Sequence, residues 1–153
     1  MKNSATATIV NDDANPPTPT GPTPGPDDLA GGPEANRISL LAGNDYARGG
    51  DDNDRLSGNA GSDRLYGDAG RDSIDGGLSN DYLRGGDGSD TITGGTGNDQ
   101  LYGDAGRDFL NGGEGADRYV FTPDPGGAIS SAASRRRKAI GSTLVGRTTV
   151  GER

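Results

Sequence analysis

The chain has 153 residues, no Cys, no His, 28% hydrophobic residues, 29 glycines and a formal net charge of −8. That composition excludes disulfides and thiolate or imidazole metal sites, and it leaves too little apolar area for a conventional core; low hydrophobicity with excess negative charge ordinarily means disorder. Residues 49–121 hold 15 acids against 6 bases, so the natural partner is a cation, and nucleic acid is disfavoured for want of a basic footprint.

Residues 1–37 read as a disordered, Pro/Thr-rich leader and linker. Ala5–Asp12 alternates small and β-branched residues. It reads either as an unstructured start or as the last strand of an immunoglobulin-like or cadherin-like domain. Asn15–Pro26 is a proline-threonine spacer, extended and semi-rigid, of the kind that separates folded modules. The N-terminus lacks the basic and apolar regions of a signal peptide, and no stretch approaches the about 18 apolar residues of a transmembrane helix.

From Ile38 to Phe121 the chain reads as one repeat domain. Gly49–Val120 is eight unbroken blocks of nine: GGDDNDRLS, GNAGSDRLY, GDAGRDSID, GGLSNDYLR, GGDGSDTIT, GGTGNDQLY, GDAGRDFLN and GGEGADRYV. A strained ninth copy, LLAGNDYAR, precedes them at Leu40–Arg48. Position one is always Gly in the eight, position six always Asp, and position eight Leu or Ile until Tyr119 closes the run. The first six positions call for turns with positive φ, and the last three form a short strand whose middle side chain faces inward. The predicted inward set is Leu56, Leu65, Ile74, Leu83, Ile92, Leu101, Leu110 and Tyr119. One block makes half a coil, so two blocks, 18 residues, make one. Odd blocks then stack on odd and even on even, as two parallel sheets face to face, over roughly 19 Å at the usual interstrand spacing.

The same arithmetic stacks the aspartates. Asp54, Asp72, Asp90 and Asp108 form one column; Asp63, Asp81, Asp99 and Asp117 form the other, with Asp45 as a further member if its copy folds. Two carboxylates about 5 Å apart would repel by roughly 3 kcal/mol at an effective dielectric of 20. A hard divalent cation between coils removes that repulsion. Calcium suits the turns because it accepts six to eight oxygens, backbone carbonyls included, with loose geometry; magnesium demands tighter octahedral geometry. The alternative, a Gly-Asp-rich disordered tract without metal, does not account for eight in-phase copies.

These repeats resemble the RTX, or haemolysin-type calcium-binding, repeats of bacterial secreted proteins. The resemblance covers about half of the chain, and Gly115–Phe121 also resembles the way such arrays end. It implies an all-β, right-handed parallel β-roll (β-helix) with calcium as cofactor, secreted by a type I route to the extracellular space. It further implies that calcium lies between paired turns, held by the position-six aspartates and by carbonyls of positions one to four. Carried over, the carbonyl donors are Gly67, Gly70, Gly76, Gly77, Gly85, Gly86, Gly88, Gly94, Gly95, Gly97, Gly103, Gly106, Gly112, Gly113 and Gly115. Pairing within columns implies about six ions, and a seventh if the Asp45 copy folds.

Departures from the pattern are specific. Asp52 and Ser79 replace Gly at position four, which predicts strained or weakly binding turns. Asn59, Asp68 and Asp104 at position two are milder, because Asn and Asp tolerate left-handed backbone. Residues 122–153 read as a basic, largely unstructured tail without a recognisable C-terminal secretion signal. Within it, Arg135-Arg136-Arg137-Lys138 reads as a solvated run or a contact with an acidic surface.

Three functions compete: a secreted module that folds on extracellular calcium, an enzyme, and a surface module binding polysaccharide or a cell surface through Tyr66, Tyr82, Tyr102 and Phe109. Without His there is neither an H-E-x-x-H zinc site nor a Ser-His-Asp triad, so the expectation is no enzyme. The spacer and the strand-like start also suggest a non-catalytic piece of a larger secreted enzyme, toxin or adhesin.

Overall fold

A computed structural model describes residues 24–121 and 143–146. It is a parallel β-solenoid of about 5 turns, all strand, with no helix among the described residues. Strands β1 (Asp28–Ala30), β3 (Tyr46–Gly50), β5 (Arg64–Gly70), β7 (Tyr82–Gly88), β9 (Gln100–Gly106), β11 (Arg118–Phe121) and β12 (Thr143–Gly146) pair in that order in one sheet. Strands β2 (Arg37–Ser39), β4 (Arg55–Ala60), β6 (Ser73–Leu78), β8 (Thr91–Thr96) and β10 (Phe109–Glu114) form the other. From β1 to β11 every pair is parallel with an 18-residue register, as in Leu65↔Leu83 and Ile74↔Ile92. The two-block coil and the two facing sheets are therefore as the repeat period predicts.

The whole predicted inward set is buried, from Leu65 and Leu83 at 0% exposure to Tyr119 at 7%. Ile38, Leu40 and Ala47 join the same core. About one side chain per nine residues fills it, so the core is thin, one file of side chains from each sheet. Tyr119 is the last described member of its file, and its hydroxyl has a partner. In the first coils the position-one N–H reaches a carbonyl 17 residues on, as Gly31 N–H does to Arg48 O at 2.8 Å. At Gly112 the N–H instead donates to Tyr119 Oη at 2.9 Å. The ring keeps the core closed while its hydroxyl satisfies a backbone group at the last full coil.

Three boundaries differ from expectation. The roll starts earlier than residue 38: β1 pairs with β3, and β2 with β4, so part of the expected leader belongs to the solenoid. Two worn copies lie there, Pro22–Ala30 and Gly31–Ser39, with Asp27 and Asn36 at position six and Leu29 and Ile38 at position eight. Strand pairing also runs into the turns, where strictly turn structure was expected: Asp68↔Gly86, Ala69↔Asp87 and Gly70↔Gly88 stay in register. Identical turns stacked one above another align their N–H and C=O groups even where φ is positive. Lastly, the tail expected to be largely unstructured supplies β12, which pairs with β11 through Tyr119↔Leu144 at a 25-residue offset outside the repeat phase. Ala5–Asp12, most of the proline spacer and the basic run 135–138 lie outside the described residues.

Candidate metal centre

Each turn delivers its aspartate into the interior. The eight predicted aspartates and Asp45 are 1–7% exposed. In each, Oδ1 accepts the backbone N–H of the position-six residue one coil earlier: Asp45 to Asp63 at 2.9 Å, Asp54 to Asp72 at 2.8 Å, Asp63 to Asp81 at 2.8 Å, Asp90 to Asp108 at 3.1 Å. The two predicted columns are thus physical ladders. Asp45 belongs to one of them, and its own Oδ1 accepts the N–H of Asp27 at 2.9 Å.

The second carboxylate oxygen is the informative one. Oδ2 of Asp45, Asp54, Asp63, Asp72, Asp81, Asp90 and Asp99 is fully buried with no hydrogen-bond partner. A buried charged oxygen without a donor is costly. Burial accordingly pushes the carboxyls of Asp54, Asp63 and Asp99 up to about 6 and those of Asp81 and Asp90 up to about 7. Asp45, Asp72 and Asp108 are raised for the same reason, partly offset by the N–H each accepts.

Carbonyls surround these oxygens. Position-one carbonyls point back toward the preceding coil. A Cβ placed on Gly67 would lie 2.2 Å from Asp72 Oδ2 and 2.5 Å from Gly85 O; one on Gly76 would lie 2.4 Å from Asp81 Oδ2 and 2.6 Å from Gly94 O. Gly76 O, Gly103 O and Gly112 O hold the same place behind Gly58, Gly85 and Gly94. Carbonyls of positions two and four point forward: Gly77 O toward Gly95, Gly95 O toward Gly113, Gly70 O toward Gly88, Gly88 O toward Gly106, and Gly97 O toward Gly115. Gly106, Gly113 and Gly115 have no further described turn ahead of them. Each gap between stacked turns therefore collects oxygens from both coils, and in seven of them an aspartate Oδ2 finds no donor.

That donor set is all oxygen, partly anionic and built mainly from backbone, which fits calcium and fits softer ions poorly. Among the described residues no three acidic side chains gather at one point, as expected if carbonyls supply most ligands. Glycine at position one leaves room for Oδ2, because a side chain there would occupy the space of the carboxylate.

The replaced glycines keep the turn. Asp52 (φ 68), Asn59 (φ 66), Asp68 (φ 77), Ser79 (φ 82) and Asp104 (φ 65) all adopt left-handed backbone. The carbonyls of Asp52 and Ser79 still point forward, at Gly70 and Gly97. Two of the position-two acids have partners that the sequence pattern does not reveal. Asp68 pairs with Arg48 at 2.6 Å, and Asp104 pairs with Arg84. The signal was a 20-residue spacing from position nine to position two.

Tyr46, Tyr66, Tyr82 and Tyr102 stack in file on the outer face of the larger sheet, with centroids 5.3, 5.7 and 4.8 Å apart. Neighbouring rings are tilted to one another by 34–41°, and all four are half-buried. Phe109 lies on the other sheet, in β10, 47% exposed. No helix of the described residues is long and apolar enough to cross a membrane.

A parallel β-solenoid whose stacked turns line buried carboxylates with carbonyls defines a calcium-binding repeat protein. The family model of the RTX calcium-binding nonapeptide repeat matches in four copies, over residues 23–56, 48–83, 57–92 and 84–119. The chain belongs to that family, and its repeats bind calcium ions. A comparison with curated proteins finds no match.

Proposed function

We propose that the chain is a calcium-dependent folding module of a secreted protein, ordered outside the cell and unfolded where calcium is scarce. The observation that carries this reading is the set of seven buried Oδ2 atoms without a donor. Without cations the two columns are rows of desolvated like charges around a thin core. With cations the same oxygens become ligands, and binding free energy becomes folding free energy.

The ligands in this reading are Asp45, Asp54, Asp63, Asp72, Asp81, Asp90, Asp99, Asp108 and Asp117, with the carbonyls of positions one, two and four. An ion in each gap that follows an orphaned Oδ2 gives seven. The module binds rather than catalyses: its buried carboxylates are committed to the stacked turns. Binding of polysaccharide by the tyrosine stripe is the weaker reading, because the four rings are half-buried and packed against one another.

The test is circular dichroism of the full chain from EDTA to about 10 mM calcium, with a cooperative midpoint expected around 10⁻⁴–10⁻³ M, the range of extracellular modules. A spectrum unchanged across that range would sink the proposal.

A further inference from the structure

Asn36 stands at position six of Gly31–Ser39, where every later copy has Asp. Its backbone joins the ladder like the others. The N–H donates to Asp54 Oδ1 at 2.6 Å, and the carbonyl accepts Arg55 N–H at 2.9 Å. Its side chain differs. Nδ2 donates to Gly32 O and Gly49 O, each at 3.4 Å, and to Glu34 O at shorter range. Those carbonyls are positions two and four of its own turn and position one of the next coil. They are the same three positions whose carbonyls line each later gap.

The position-one glycines show that the two atoms occupy corresponding places. A Cβ on Gly31 would lie 2.8 Å from Asn36 Nδ2, and one on Gly49 would lie 2.1 Å from Asp54 Oδ2. One kind of gap therefore holds either a carboxylate oxygen with no donor or an amide nitrogen donating to three carbonyls. With Nδ2 inward the amide meets these acceptors without an ion; turned over, its Oδ1 would join them as one more oxygen.

We infer that Asn36 closes the first gap of its column with its own amide, in place of a calcium ion. That gap is then metal-free, and within this column calcium enters only the gaps that follow an aspartate. An ion in the Asn36 gap would meet one carboxylate, that of Asp54, instead of two, and would have to displace a buried amide; fewer charged ligands mean weaker binding. The other column has no such plug, because its earlier copy carries Asp27 at position six. This inference rests on the calcium reading above.

The experiment is calcium bound per full-length chain, measured by equilibrium dialysis at saturating calcium, for the wild type, Asn36→Asp and Asn36→Ala. Asn36→Asp is expected to bind one ion more than the wild type. Asn36→Ala is expected to bind the same number as the wild type with a lower thermal midpoint, because three carbonyls lose their donor. Equal counts for the wild type and Asn36→Asp overturn the inference while leaving calcium binding intact. Loss of one ion in Asn36→Ala also overturns it, since Asn36 would then be a ligand. No bound calcium in any of the three overturns the inference and the calcium reading together.

Discussion

Asp72 reaches back one coil to accept the N–H of Asp54 through Oδ1 at 2.8 Å, while its Oδ2 stays buried with no partner. One carboxylate thus has two jobs in two different gaps: it ties its coil to the one before, and it offers a charge to the one after. Asp72→Asn separates them. Oδ1 keeps the ladder bond, and the amide meets carbonyls as that of Asn36 does. The expected result is loss of one ion per chain and a calcium midpoint raised about tenfold, equivalent to about 1.4 kcal/mol. Calcium titration with the ion count measures both, and an unchanged count refutes the assignment.

Gly88 has φ +138, and a Cβ there would sit 1.6 Å from Gly70 O, a backbone atom that cannot move aside. Gly88→Ala is expected to destabilise the calcium-loaded roll by more than about 1 kcal/mol, from backbone strain alone. Gly32→Ala is the control: its nearest neighbour would be Glu34 Oε2 at 3.6 Å, and its φ is not in the left-handed range. Thermal unfolding in saturating calcium should separate the two variants clearly.

The raised carboxyls predict pH dependence of opposite sign with and without metal. In the metal-free roll their folded values of about 6–7 lie above the unfolded value. The stability they contribute is therefore fully present below the unfolded pKa of about 4 and is lost as pH rises through 6–7. Calcium takes the ionised form, so its contribution is full above about pH 7 and declines as pH falls through the same window. The calcium midpoint should rise markedly between about pH 7.5 and about pH 5.5. Identical midpoints at the two values would contradict the burial of these groups.

Tyr119→Phe keeps the ring and removes the acceptor of the Gly112 N–H. Leaving that buried group unpaired is expected to cost about 1–3 kcal/mol. Hydrogen exchange at Gly112 should accelerate, with little change in the first coils. Equal exchange in both proteins would mean that the hydroxyl is not what closes the last coil.

Much of this was legible in the letters because the repeat is strict where it matters. A period of nine with Asp at six and an aliphatic at eight is enough to place Leu56, Ile74 and the rest of the core file, and with them the two aspartate columns. The worn copies were not legible by motif. Pro22–Ala30 keeps only the position-four glycine and Gly31–Ser39 lacks both that glycine and the aspartate, yet counting back by eighteen from Asp45 and Asp54 reaches Asp27 and Asn36, and from Ala47 and Leu56 reaches Leu29 and Ile38. Phase survived where identity did not. No count finds β12, since Thr143 pairs with Arg118 outside the period.

The sequence by itself determined the coil, the core file and the column to which each aspartate belongs, because all three follow from spacing along the chain. Only the tertiary structure decided which way each carbonyl points, which carboxylate oxygen is left without a donor, and that the Asn36 amide nitrogen stands where the aspartates carry that oxygen. Those depend on how one turn sits on the next. Hydrogen-bond partners eighteen residues apart are set by stacking, and a carbonyl's direction is a property of the folded turn, written in no single residue.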